Sequence, residues 1–234
     1  MDAEPLLRAS PFFVFALCVH RAAVELQSTS YVAEWVGASR RTPVFDVEQL
    51  REFLAVPHRR LFLVELLSSY THVASGSIVQ FTRRGIRRHR FSELDPVRLA
   101  GLLEVVSDEE RPGILRRLGD LALFLTGVFP DSVARRGFGP IDEGRLLRSG
   151  HFLRPPGPAP AAAGLGPPGP VELLDRLGRR WYGAAFDLLQ PVPANLVIMG
   201  ELPTRFSQAR RILSFITERF VFTHRERWFG HAAH

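Results

Sequence analysis

Apolar positions at helical spacing run through most of this chain. In SPFFVFALCVHRAAVELQS (residues 10–28), Phe12, Phe15, Val19, Ala22, Ala23 and Leu26 fall on one face of a helix. Ser10 stands where a cap is needed, and Pro11 suits the first helical position. YVAEWVGASRRTPVF (31–45) reads as a turn-rich connection. Asp46 is placed to cap a short helix, VEQLREFLA, that Pro57 ends. From Arg59 a helix runs through LFLVELLSSYTHVAS to Gly76, a natural stop. Leu61, Phe62, Leu63, Val64, Leu66 and Leu67 nearly surround it, which predicts a central, buried helix.

The rhythm then changes. SIVQF is β-rich, RRG reads as a turn and IRRHRF alternates loosely, so residues 77–92 are expected to form a β-hairpin. Asp95-Pro96 opens a helix through VRLAGLLEVV, and Ser107 with Glu110 makes a capping box. The helix carrying RRLGDLALFLTGV stops before Pro130. Asp131 is placed to cap DSVARRG, and IDEGRLLRSG is a further short helix. Residues 154–170 hold seven Pro and four Gly, a loop or linker composition. After it, VELLDRLGRRWYGAAFDLLQ is an amphipathic helix, a second long helix starts at Thr204, and HRERWFGHAAH reads as a frayed tail. The fold class expected is mainly α: a single helical-bundle domain with one small basic β-hairpin and a Pro/Gly-rich loop. Residues 1–153 would form a helical core and 171–234 would pack on it, because 64 residues make a poor independent core.

Charge adds less than it first suggests. The net charge is +6, yet the chain has 30 basic residues, all Arg, and a single Asn, Asn195. That bias fits a GC-rich bacterial genome, and Arg raises the isoelectric point without creating a binding surface. Cys18 is the only cysteine, so an intrachain disulfide and a Cys-based zinc site are excluded. PFFVFALCV is apolar, but acids precede it, HRAAVE follows it and no small-residue cleavage site appears. No run reaches the ~18 apolar residues of a membrane span. A soluble cytoplasmic protein is expected.

Three sets of residues could carry chemistry. Glu65 and Asp120 lie in apolar surroundings, and a buried carboxylate costs several kcal/mol unless it is paired or hydrogen-bonded. Asp120 is expected to be a buried partner of an Arg (Arg116 and Arg117 lie one turn before it), Tyr70, Trp181 or Tyr182. The weaker alternative makes Glu65, Asp120 and Tyr182 a catalytic or ligand pocket. Arg83, Arg84, Arg87, Arg88 and Arg90 form the second set, a basic hairpin able to meet nucleic acid or an acidic partner. The third set, eight His, lacks any Glu-x-x-His or zincin spacing, so no metal is expected. Walker A, dinucleotide and nucleophile-elbow motifs are also missing, and no cofactor is expected.

RRLGDLALFLTGVFPDSVARRGFGPIDEGRLL resembles an uncharacterised bacterial family associated with actinobacteria, whose members share an LGDxALFxxGxFPD helix. LGRRWYGAAFDLL (177–189) looks like that family's second block, although it departs from the Tyr-rich form. PFFVFALCVHRAA, RTPVFDVEQLREFL and RRLFLVELLSSYT look like its actinobacterial branch. The resemblance implies an all-helical bacterial protein and carries no known activity. The expected function is a non-enzymatic protein-interaction or regulatory role, with an unknown protein partner or self-association. The alternatives are nucleic-acid binding through the hairpin, and a small-ligand protein or enzyme with a pocket near the buried carboxylates.

Overall fold

The computed structural model describes residues 10–36, 40–82, 85–149, 169–189 and 196–230. The chain runs α1 (Pro11–Glu25), β1 (Val32–Val36), β2 (Arg40–Val44), α2 (Val47–Ala55), α3 (Pro57–Ser69), β3 (Ser75–Thr82) and β4 (Gly85–Ser92). It continues through α4 (Pro96–Gly101), α5 (Arg111–Val128), α6 (Pro130–Arg136), α7 (Pro140–Ser149), α8 (Pro170–Leu188), α9 (Ile198–Ile216) and α10 (Arg225–Phe229). The protein is mainly α, with two small antiparallel hairpins instead of the one expected. Most of the Pro-rich segment, 154–168, lies outside the described residues.

Helix α5 is the centre of the molecule. Every residue from Leu118 to Pro130 is buried. The helix packs most extensively against α8, and both pack against α9. That close approach depends on small residues. A Cβ at Gly119 would stand 2.9 Å from the Tyr182 ring. One at Gly178 would stand 2.6 Å from the Phe206 ring and 3.0 Å from the Ala122 Cβ. A larger residue at either position would push two helices apart.

The expectation that the Leu-rich helix would be central is corrected. α3 starts at Pro57 and ends at Ser69, and Leu61, Glu65 and Ser69 form an exposed i, i+4, i+8 stripe. Gly76 does not stop it but sits in β3 opposite Phe91. Pro57 ends α2 as expected and also begins α3, with Val56 between them in the extended conformation typical before proline. In α1, Phe15, Val19, Ala22 and Leu26 face the core, while Phe12 is 44% exposed. Ser10 and Asp46 precede their helices without a side-chain cap, whereas Asp95 accepts from the Val97 and Arg98 amides. Glu110 completes its half of the capping box by accepting from the Ser107 amide at 3.0 Å. Asp131 bonds Arg135 and Arg225 instead of capping α6.

Three further segments differ from expectation for long-range reasons. The turn-rich connection is the β1–β2 hairpin, with Glu34 opposite Thr42. Glu34 pairs with Arg210 and Arg211 of α9, and Arg210 lies 3.4 Å from Asp175 of α8. These half-buried pairs fasten the hairpin to the core. α9 begins six residues before Thr204, taking Pro203 into its first turns. A proline there costs one backbone hydrogen bond. Burial of Ile198, Met199 and Leu202 offsets it. Within the expected tail, Phe229 is buried, 5.1 Å from Phe124 and 5.6 Å from Phe15 between ring centroids. An aromatic cluster that includes Tyr70 stacked on Phe124 at 4.1 Å therefore ties α10 to α5.

Two glycine substitutions separate close packing from helix propensity. Gly178→Ala is expected to cost about 1–3 kcal/mol, because its Cβ has no space. Gly101→Ala meets nothing within 4 Å on a helical backbone and is expected to stabilise by roughly 0.5–1 kcal/mol. Urea denaturation of both variants reads the two signs.

Candidate functional site

Asp120 occupies the third turn of α5 and is 7% exposed. Because the Tyr182 ring lies flat against Gly119, its hydroxyl reaches the neighbouring carboxylate and donates to Asp120 Oδ1 at 2.7 Å. Arg116, one turn earlier on the same helix, holds its Nε 3.8 Å from Oδ2. That separation gives an ion contact without a hydrogen bond. Burial pushes the Asp120 carboxyl above its ordinary value, against the downward pull of Tyr182, Arg116 and Arg117. Burial, and then Asp120 itself, holds the Tyr182 phenol well above the usual range. Tyr182 is therefore a donor at neutral pH; of the other two candidate rings, Trp181 donates to Ser149 Oγ at 3.3 Å and the buried Tyr70 hydroxyl has no hydrogen-bond partner among the described residues.

Glu65 is not buried. It lies in the exposed stripe of α3 and faces the same cleft as Asp120, a space of about 540 Å³ between α3 and α5. Tyr182 is fully buried behind Asp120. The three residues meet at one place, with Glu65 at the rim, Asp120 in the wall and Tyr182 behind it.

Sequence reasoning missed the pair that closes one end of this cleft. Arg117 stacks 4.1 Å over the Tyr70 ring and donates to Ser69 Oγ at 2.9 Å and to Glu93 Oε2 at 3.2 Å. Glu93 also accepts from the Ala74 amide at 2.9 Å, which pins the base of the β3–β4 hairpin to α5. Nothing in local spacing links positions 69, 93 and 117.

The basic hairpin forms as expected, with Val79 opposite Arg88 and Ser77 opposite Arg90. Arg83 and Arg84 lie outside the described residues, as does the side chain of Arg87, whose backbone pairs with Gln80. Arg88 and Arg90 are exposed and line a second cleft, about 450 Å³, with Arg98 of α4 and Arg145 and Arg148 of α7. Asp95 lies 3.1 Å from Arg98 and Asp142 lies 3.6 Å from Arg145. Arg88, Arg90 and Arg148 have no carboxylate partner among the described residues. Val97, Ala100 and Leu102 supply apolar lining, and Glu104 is the acid at the edge. The only local signal for the added cations was the i, i+3 spacing of Arg145 and Arg148 on one helical face.

Among the described residues no three His, Cys, Asp or Glu side chains gather as a metal-ligand set. No described helix is long and apolar enough to cross a membrane. Comparison of the chain with protein-family models, curated proteins and solved structures finds no match.

Asp120 makes stability pH-dependent with a definite sign. Its carboxyl holds a proton more firmly when folded, so the stabilising contribution is complete below the unfolded value of about 3.9 and is lost as pH rises through the folded value. Asp120→Asn removes that loss while leaving an acceptor for Tyr182. Its stability relative to wild type is expected to improve as pH rises from the acid range, measured by denaturation at a series of pH values. A difference that stays constant or moves the other way contradicts the assignment. Tyr182→Phe is expected to raise the Asp120 titration midpoint further, read by carboxyl-carbon NMR.

Proposed function

We propose that this protein is an interaction protein, an adaptor or regulator, that takes an acidic segment of a partner protein into the cleft between the β3–β4 hairpin, α4 and α7. The observation that carries this reading is the convergence of Arg88, Arg90 and Arg148, without carboxylate partners among the described residues, on one cleft with apolar lining. Two elements distant in sequence, β4 and α7, supply these guanidiniums. Arginine presents a planar fork that matches carboxylate geometry. Val97, Ala100 and Leu102 offer contact for an aliphatic side chain between the acids.

The chemistry of the cleft favours a peptide over a nucleic acid. Among the described residues its lining holds no Phe, Tyr or Trp ring on which a base could stack, His89 being the one ring there, and Glu104 would repel phosphate at one edge. A nucleic acid would meet the outward Arg residues as counterion-releasing contacts, and its affinity would fall steeply with salt.

Fluorescence anisotropy with a labelled peptide of alternating Glu and Leu, a single-stranded DNA and a duplex tests the proposal at low and physiological salt. The peptide is expected to bind more tightly than either DNA at physiological salt. Arg88→Ser with Arg148→Ser is expected to weaken the peptide by about tenfold, roughly 1.4 kcal/mol. Tighter DNA binding lost in the same double variant would replace this reading with the nucleic-acid one. Binding of the peptide unaffected by the double variant, or no binding of any probe, would overturn both.

A further inference from the structure

The cleft between α3 and α5 has an electrostatic character opposite to that of the hairpin cleft, and the basic partner site makes no use of it. Its charges divide into those already satisfied and those left open. Arg117 and Glu93 satisfy each other at 3.2 Å, and each has a further hydrogen bond, to Ser69 Oγ and from the Ala74 amide. Arg116 stands 3.8 Å from Asp120 Oδ2 and forms no hydrogen bond to it. Asp120 Oδ2 therefore belongs to a side chain that is nine-tenths buried, lines the cleft and leaves this oxygen without a donor among the described residues. Glu65, across the same space, has no cationic partner among the described residues. Arg116 and Arg117 together balance Asp120 and Glu93, and Glu65 remains as one uncompensated negative charge.

Apolar lining in this cleft comes from two side chains, and Ser69 and His72 add polar ones. Phe62 and Leu66 line the cleft beside Glu65, and Phe62 is held edge-on to the Tyr182 ring at 6.3 Å. A ligand that fits needs one positive charge, N–H donors for two carboxylate groups and a short apolar body. A free anion would meet the uncompensated charge of Glu65. A quaternary ammonium would bring charge without a donor for Asp120 Oδ2.

We propose that the α3–α5 cleft binds a small primary amine in its protonated form, with its ammonium group donating to Glu65 and Asp120 Oδ2 and its apolar body against Phe62 and Leu66. The ammonium supplies the hydrogen bond that Arg116 does not make. Tyr182, donating to Oδ1 from behind, leaves Oδ2 as the free acceptor and fixes its direction. Arg117 and Glu93 act as a rigid end wall, because both are already engaged. The site is separate from the hairpin cleft, so either proposal stands if the other fails.

Amide NMR titration of the full chain tests this with benzylammonium as the probe. Benzyltrimethylammonium and benzoate are the comparators. Benzylammonium is expected to give saturable shifts confined to residues 62–72 and 113–120. The quaternary analogue should bind at least about tenfold more weakly, and benzoate should give no saturable shift. Glu65 is exposed, so Glu65→Gln is expected to fold normally and to weaken benzylammonium by about tenfold or more. Arg88→Ser, in the other cleft, should leave it unchanged. Shifts that fail to saturate, equal binding of benzoate, or unchanged affinity in Glu65→Gln would each overturn the proposal.

Discussion

The Tyr182 ring lies against the backbone of α5 at Gly119, and much of the molecule is arranged around that contact. The missing Cβ lets α8 come close enough for the Tyr182 hydroxyl to reach Asp120. Gly178 then lets α9 approach on another side, with the Phe206 ring over the α8 backbone and near Ala122 of α5. Three helices locked at short range leave room for few conformers, since protein interiors are packed as densely as organic crystals. A polar pair sits inside this packing, and it is tolerated because the donor and the acceptor meet at 2.7 Å.

Around that core, arginine serves in two different ways. Arg59, Arg117, Arg179 and Arg210 are half-buried and hold carboxylates on other turns or other elements: Glu201, Glu93, Asp175 and Glu34. The Arg59, Arg117 and Arg210 pairs join secondary-structure elements, and removing either partner of any of the four would leave a poorly solvated charge. Arg88, Arg90 and Arg148 face outward around a cleft instead. The net charge of +6 does not distinguish the two roles. Cations engaged in the scaffold are already neutralised by carboxylates, whereas Arg88, Arg90 and Arg148 have no carboxylate partner among the described residues.

β4 and the residue that follows it reach both clefts. The strand's outward Arg residues face α4 and α7, while the segment just after β4 carries Glu93 into the contact with Arg117. The end of β4 thus lies beside a cationic space, and Glu93 just beyond it lines the cleft that holds Glu65 and Asp120.

Local pattern alone settled the mainly α character, the helices started at Pro11 and Pro96, the β3–β4 hairpin, the Asp95 cap and the Glu110 half of the capping box, because each rests on residues within a few positions of one another. It also limited Asp120 to a few partners, of which Tyr182 is the one that hydrogen-bonds it. It misjudged what depends on contacts between distant residues. The β1–β2 hairpin is fastened by Glu34 to Arg210, and the α10 aromatics find Phe15 and Phe124, partners far away in sequence. Glu65 shows the same limit from the other direction: its neighbours in α3 are apolar on nearly every side, yet packing leaves its stripe open to solvent. Hydrophobic periodicity reports which faces of a helix can be buried, but only tertiary packing decides which of them meets a partner, and so where the two clefts lie.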